Sequence, residues 1–168
     1  QVNRGDAARL GLAEGGQAFL RLDDLDFESR LAVGPAGSAG QGKAGIAILA
    51  LAEAARPHAS RVGLVSIALC DHPEIETILR RLVQLGFAIS PASLRLDDLT
   101  EPIVALLRQS GERSITIAPE TGSDRLRRVI NKTVTNADIL DKTELIFASG
   151  IENLKLYYMI GLPGETDD

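Results

Sequence analysis

The sequence predicts an α/β fold in which parallel strands alternate with helices. Four short apolar runs are typical of buried strands, and they occupy residues 62–69, 87–90, 114–118 and 153–160. Patterns typical of helices lie before and between these runs, at residues 43–56, 73–85, 100–108, 123–131 and 136–148. Strands and helices that alternate at this spacing form parallel sheets with right-handed crossovers.

These elements are too few for a closed barrel. A complete (β/α) barrel of the TIM type takes roughly 250 residues, whereas this chain has 168. We therefore expect residues 46–168 to form a partial TIM-type (β/α) barrel. Residues 1–45 differ from the rest because they contain the glycine-rich run GPAGSAGQGKAG at positions 34–45, and we expect this segment to be irregular.

Charge and cysteine content exclude several classes of protein. The net charge of -5 argues against a large nonspecific nucleic-acid surface, which needs clustered Lys and Arg. No apolar run approaches the roughly 20 residues of a membrane helix, and the start lacks the pattern of a secretory signal, so we expect a cytoplasmic protein. The single cysteine, Cys70, excludes an internal disulfide and cannot alone hold a metal cluster.

The helix predicted at residues 73–85 has a clear start and end. Its first turn contains proline and glutamate, and Gly86 follows its last turn. Asp71 or His72 would cap its start. Both residues also follow a predicted strand, but a lone histidine is weak support for catalysis, so we favour the capping role.

Polar residues follow the predicted strands, at positions 70–72, 90–95, 120–123 and 161–166. In parallel β/α folds the loops after the carboxyl ends of the strands gather on one face and build the site. Glu120 could accept hydrogen bonds from ribose hydroxyls or an amino group, and we favour such a ligand role. For Arg95, binding a ligand carboxylate and pairing with Asp97 or Asp98 are equally open.

The loop and helix after the third predicted strand hold further candidates. Gly122 would let the backbone approach a ligand closely, and Ser123 would cap the next helix. Four basic side chains crowd this helix and the residues just after it: Arg125, Arg127, Arg128 and Lys132. We expect them to form a solvated face, since the acidic net charge disfavours a phosphate-binding role.

Two motifs, which follow one another in the expected order along the chain, resemble segments of the radical SAM (S-adenosylmethionine) superfamily. Residues 117–132, IAPETGSDRLRRVINK, resemble its fourth-strand segment, in which E-S/T-G-S-x-R is followed after five residues by N-K/R. Residues 158–166, YMIGLPGET, resemble its fifth-strand segment I-G-L/F-P-G/T-E-T. Residues 66–73 and 90–97 are similar to second- and third-strand segments of the branch that often carries an upstream cobalamin-binding domain.

The resemblance implies SAM and a 4Fe-4S cluster as cofactors, and cobalamin in a full-length member of that branch. In the family, three cysteines in C-x(3)-C-x-x-C hold the cluster, which cleaves SAM reductively to a 5'-deoxyadenosyl radical. Carried over to this chain, Glu120 and Thr121 would lie near the ribose or amino group of SAM, and Ser93 and Arg95 near its carboxylate. Ile160 and Gly161 would border the adenine, and Gly122 is a further SAM-binding candidate.

The chain departs from the family pattern at the cluster loop. That loop should follow the first strand, yet no cysteine precedes Cys70, so we do not expect this chain as written to assemble the cluster or to be active. Residues 2–5 resemble the end of the family's first strand, and residues 48–55 resemble its first helix. We therefore hypothesise that residues 6–45 are a frameshifted or replaced segment, which resequencing the coding DNA would test.

Three functions stay open at the level of sequence. The first is radical SAM chemistry on an unknown substrate. The second is a non-enzymatic partial barrel that binds SAM weakly or serves as an interaction module. The third, a phosphate-binding β/α enzyme, is the least favoured because of the two motifs. An incomplete barrel also exposes strand edges, so we expect the isolated chain to self-associate, which light scattering would test.

Overall fold

A computed structural model describes residues 10–13, 17–21, 48–65, 69–91 and 94–166. Its first sheet consists of β1 (Leu10–Ala13), β2 (Gln17–Arg21), β3 (Arg61–Val65) and β4 (Ala88–Pro91). The strands neighbour one another in chain order. The pair β1 and β2 is antiparallel, whereas β2 with β3 and β3 with β4 are parallel.

A second sheet contains two parallel strands, β5 (Ser114–Glu120) and β6 (Asn153–Tyr158). The register places Ile117 opposite Leu156 and Glu120 opposite Tyr158. Three residue steps on β5 therefore match two steps on β6, which is a β-bulge. A bulge bends its strand and re-aims side chains, and this one lies at the carboxyl end of β5.

The α-helices of the described residues are α1 (48–55), α2 (Ile75–Gln84), α3 (Glu101–Gln109), α4 (Asp124–Val129) and α5 (Asn136–Ala148). Side chains at their first turns explain why several begin where they do. A capping box starts α5, because the Thr135 hydroxyl accepts the N–H of Asp138 (3.2 Å) and the Asp138 carboxylate accepts the N–H of Thr135 (2.8 Å). The predicted cap of α2 by Asp71 or His72 is not found, because Glu74 precedes this helix and has no side-chain cap hydrogen bond; Nδ1 of His72 accepts the N–H of Glu74 at 3.1 Å in the turn before it.

One hydrophobic core joins the two sheets. Val62 and Ile89 of the first sheet belong to the same cluster of buried side chains as Ile115 and Ile117 of the second. Burying such side chains is the main favourable term in folding. The strand β6 is different, since all its residues except Leu154 are exposed.

The predicted alternation of parallel strands with helices is confirmed, and the described strands form two open sheets, in which β4 and β5 do not pair. One predicted strand ends earlier than expected, and another is described only in part. The run at 62–69 forms a strand over Arg61–Val65, residues 66–68 lie outside the described residues, and Leu69–Asp71 is a 3-10 helix. The run predicted at 153–160 is a strand only to Tyr158, although the N–H of Met159 still donates to the carbonyl of Glu120 (2.7 Å).

The segment predicted to be irregular contributes two strands, β1 and β2, to the first sheet. Their main-chain hydrogen bonds come from pairing with each other and with β3, so they do not need a strong side-chain period of their own. The glycine-rich run at 34–45 lies outside the described residues, and the origin of residues 6–45 stays a hypothesis. Within the described part of the chain, no helix is both long and apolar enough to span a membrane.

Candidate functional site

The carboxyl ends of β5 and β6 lie side by side and carry two of the predicted loops. Glu120 is the last residue of β5, and its carbonyl accepts the N–H of Met159 at 2.7 Å. Residues 120–123 therefore start next to residues 159–166. This is the edge at which parallel sheets build their sites, and both motifs contribute to it.

Glu120 stands in an unusual backbone conformation at this edge. Its φ is +68°, in the left-handed region that costs a side-chain-bearing residue about 1 kcal/mol or more. Its carboxylate pairs with Nζ of Lys132 at 3.0 Å, and the Lys132 ammonium also donates to the carbonyl of Ala118. Since the Glu120 side chain is 28% exposed, the carboxylate is held in place and still open to solvent on one side.

Thr121 and Gly122 continue this loop in different environments. Thr121 is 3% exposed, and its hydroxyl accepts the N–H of Ser123 at 3.3 Å. Ser123 caps α4, as predicted, by accepting the N–H of Leu126 at 3.4 Å. Gly122 is exposed and has free space around its Cα. In this arrangement Thr121 shapes the loop, while Gly122 leaves room for an approaching molecule.

Arg127 contradicts the prediction of a solvated basic face, because it is completely buried. Its Nε donates to the carbonyl of Val134 at 2.7 Å, and its two terminal nitrogens donate to the carbonyl of Thr121 and to the side chains of Asp124 and Asn136. A buried guanidinium is tolerated only when it is paired in this way. Arg127 thus ties the end of β5 to the starts of α4 and α5.

The loop after β6 is closed by its own hydrogen bonds. The carboxylate of Glu165 accepts the N–H groups of Gly161 and Leu162, the latter at 3.0 Å. Gly161 and Gly164 have φ values of +86° and +78°, which glycine adopts at little cost. Ile160 is 95% exposed. This loop is therefore a preformed turn that presents Ile160 and Gly161 at the edge of the sheet.

A contact between the two loops was not foreseen from the sequence. Nη2 of Arg125 donates to the carbonyl of Gly164 at 2.7 Å. Arg125 and Gly164 are both positions of the two motifs. Their place in the motifs was the only feature of the sequence that could have indicated the contact. The same holds for Glu120 and Lys132, which are the first and last residues of the E-T-G-S to N-K motif.

Arg95 follows β4, apart from the Glu120 loop. Its Nη1 lies 3.4 Å from a carboxylate oxygen of Asp71, and its Nε lies 3.8 Å from one of Asp98. The predicted pairing with Asp98 is confirmed, although the Arg95 side chain remains 55% exposed. A ligand role for it stays a prediction. Arg95 and Lys132 both line a crevice of about 360 Å3 beside the end of β5. Ser93 lies outside the described residues.

Cys70 lies close to the carboxylates of Asp71 and Asp98, and its thiol is not reactive. Its burial, together with the carboxylates of Asp98 and Asp71, raises the pKa of the Cys70 thiol to about 11. The thiol therefore stays protonated at neutral pH, and a protonated thiol is a poor nucleophile and metal ligand. Burial likewise raises the pKa of Asp98, against the opposing charge of Arg95.

The described residues do not supply ligands for an iron-sulfur cluster. No group of three or more His, Cys, Asp or Glu side chains among them could hold a metal ion. A 4Fe-4S cluster needs thiolate ligands, and Cys70 is the one cysteine of the 168 residues. The polar edge at Glu120 offers instead a partly exposed carboxylate and a glycine with free space beside it.

Comparison with known families decides the relationship. The sequence model of the Radical SAM superfamily matches residues 47–168, which include both motif loops. The chain belongs to the radical SAM superfamily. The match begins at α1 and covers every described element after it. The cobalamin-carrying branch stays a prediction, since this match does not distinguish branches.

Two relatives match shorter stretches. An uncharacterized protein of Methanocaldococcus jannaschii, MJ0966, is 38% identical over 109 residues, which are 65% of this chain and 24% of that protein. A protein of Lactococcus lactis named heme chaperone HemW is 28% identical over 69 residues, which are 41% of this chain and 18% of that protein. The matched stretches thus span about a quarter or less of the length of these curated relatives.

Proposed function

We propose that this radical SAM domain binds S-adenosylmethionine at the adjoining carboxyl ends of β5 and β6. SAM carries an ammonium group, a sulfonium and two ribose hydroxyls, all of which a carboxylate can bind. The observation that carries the proposal is Glu120, a partly exposed carboxylate held at the strand end in a left-handed conformation. Strained residues of this kind collect at ligand sites.

Each predicted residue has a part in this proposal. Glu120 would accept hydrogen bonds from the ribose or the ammonium group, with Gly122 leaving room beside it, and Thr121 would keep the loop in shape. Ile160 and Gly161 would border the adenine, since Ile160 is an exposed apolar side chain two residues after Tyr158, the strand partner of Glu120. Arg95 would serve the SAM carboxylate from the residues that follow β4, and the same role is proposed for Ser93, which lies outside the described residues.

The proposal covers binding and not the chemical step. In this family the bound SAM supplies a 5'-deoxyadenosyl radical when a 4Fe-4S cluster reduces it. The described residues do not fit that cluster, so no step through it is assigned to them. The same observation favours a second candidate function, a partial barrel that binds SAM without cleaving it.

Titration calorimetry of the 168-residue chain with SAM tests the proposal. We expect Glu120→Gln to weaken binding about tenfold, because a hydrogen bond to a charged group is replaced by one to a neutral amide. Glu152→Gln is the matched control, because Glu152 is also a partly exposed, ion-paired glutamate but precedes β6 at the opposite end of the sheet. Equal SAM affinities of wild type and Glu120→Gln would contradict the proposal.

A further inference from the structure

Arg125 makes the side-chain hydrogen bond that joins the two motif loops. It lies in the first turn of α4, and its Nη2 donates to the carbonyl of Gly164, 39 residues further along the chain, at 2.7 Å. The Arg125 side chain is exposed, so no core packing fixes its position. A charge-assisted hydrogen bond of this length is among the stronger polar contacts a surface arginine makes.

The loop that contains Gly164 is held together by its own hydrogen bonds. Its amino end is held by Glu165, whose carboxylate accepts the N–H groups of Gly161 and Leu162. Gly164, with φ at +78°, turns its carbonyl toward Arg125. The loop is exposed at nearly every position from 159 to 166. Among the described residues, the loop after β6 (residues 159–166, the β6 loop) is thus tied to the loop after β5 (residues 120–123, the β5 loop) and the first turn of α4 by the N–H of Met159 and by the Arg125 bond.

A polar cavity of about 600 Å3 lies between the two loops. Its walls come from Thr121, Gly122 and Ser123 on one side and from Glu165 and Thr166 on the other, and Arg125 also lines it. If the β6 loop moved away from α4, this open cavity would widen and Gly161 would move relative to Glu120.

We propose that Arg125 is a positioning residue that latches the β6 loop to the β5 loop and so fixes the distance between Gly161 and Glu120. The inference rests on the proposed function, since both residues belong to the proposed SAM site. Arg125 acts through the backbone of the loop and does not itself contact SAM. Its loss loosens the loop first and weakens SAM binding as a consequence.

The test compares Arg125→Gln with Arg128→Gln by amide hydrogen exchange in the absence of SAM. Arg128 lies on the same helix, is exposed and has no side-chain hydrogen bond to any residue that the structure describes, so both variants remove one surface arginine of α4. We expect exchange in residues 161–166 to become about tenfold faster in Arg125→Gln only. Arg125→Lys, which can still donate to the Gly164 carbonyl, should restore most of the protection.

Titration of the same variants with SAM completes the test. We expect about tenfold weaker binding for Arg125→Gln, wild-type binding for Arg128→Gln and an intermediate value for Arg125→Lys. Equal exchange in the two glutamine variants would overturn the latch, whether or not the wild type binds SAM. Faster exchange with unchanged SAM affinity would overturn the positioning role. Absence of SAM binding by the wild type would instead refute the proposed function, while the exchange result still decides the latch.

Discussion

The β3–β4 unit and the β5–β6 unit hold their carboxyl-end loops in different ways. In the first, fully buried side chains such as Leu64, Ile89 and Leu82 fix the framework, and the charged residues beyond it pair loosely, with Arg95 at 3.4 and 3.8 Å from its carboxylates. In the second, β6 is exposed along nearly its whole length, and the loops are joined by hydrogen bonds of charged side chains to backbone and carboxylate oxygens.

In this domain, side-chain hydrogen bonds fix the loop conformations more closely than apolar burial does. Apolar burial stabilises a strand and its helix without fixing the conformation of the loop beyond them. A guanidinium or ammonium with several partners fixes the positions of the groups it binds, and it is costly to leave such groups unpaired. The proposed site is therefore expected where the polar network is dense, at β5 and β6.

Replacing the central arginine of that network should have the largest effect. We expect Arg127→Met to lower the free energy of unfolding by about 3 kcal/mol, because it removes the guanidinium donor from the buried carbonyls of Thr121 and Val134 and one of the two donors to the Asp124 carboxylate. The same change in the first unit, Arg95→Met, should cost less than about 1 kcal/mol, as for an exposed ion pair. Urea unfolding of both variants measures the two values.

Equal losses for the two arginine variants would remove the distinction between the units. A loss below about 1 kcal/mol for Arg127→Met would show that methionine packs into the site and that its polar partners find water instead. Either result would mean that the network does not hold the β5 loop.

A smaller, pH-dependent effect is expected at Asp124. Hydrogen bonds from the N–H of Asn136 and from the Arg127 side chain hold the pKa of Asp124 below its usual value. A carboxyl whose pKa is lowered by folding stabilises the fold fully above its unfolded pKa of about 3.9, and this contribution is lost as the pH falls through the folded pKa. The free energy of unfolding of the wild type should therefore fall more steeply than that of Asp124→Asn as the pH is lowered from about 5 to about 3.

Urea unfolding of wild type and Asp124→Asn at both pH values checks this expectation. The pKa of Asp138 is also lowered, by its hydrogen bonds with Thr135, but this contribution is common to both proteins and cancels in their difference. A stability difference that stays the same at the two pH values would show that the Asp124 carboxylate does not contribute through its charge.

The sequence allowed prediction of those parts of the fold that depend on local signals. The bounds of α5 match the predicted helix at residues 136–148, which was expected to end at Gly150; the structure adds that Thr135 caps its start and that Gly150 has a φ of +87°. The start of α3 was predicted from Thr100 and the proline that follows it. The burial of Arg127 could not be predicted, because its partners come together only in the tertiary structure, and a run of basic residues ordinarily faces solvent.

The position of the candidate site in the fold could be predicted from the sequence. The backbone conformation and the side-chain pairing within it could not. The rule for parallel strands put residues 120–123 and 161–166 on one edge, as the structure has them. The bulge before Glu120, its left-handed backbone and its pairing with Lys132 depend on the register between β5 and β6. That register is set by pairing across 39 residues of chain, for example between Ser114 and Asn153, and has no local signature.

The most direct measurement is to map SAM binding by amide chemical-shift changes in the 15N-labelled chain. Our account predicts that the largest changes fall at residues 120–123 and 161–164, on the two latched loops, with small changes at β3 and β4. Changes confined to the first sheet, or an absence of changes at saturating SAM, would contradict the claim that β5 and β6 form the SAM site.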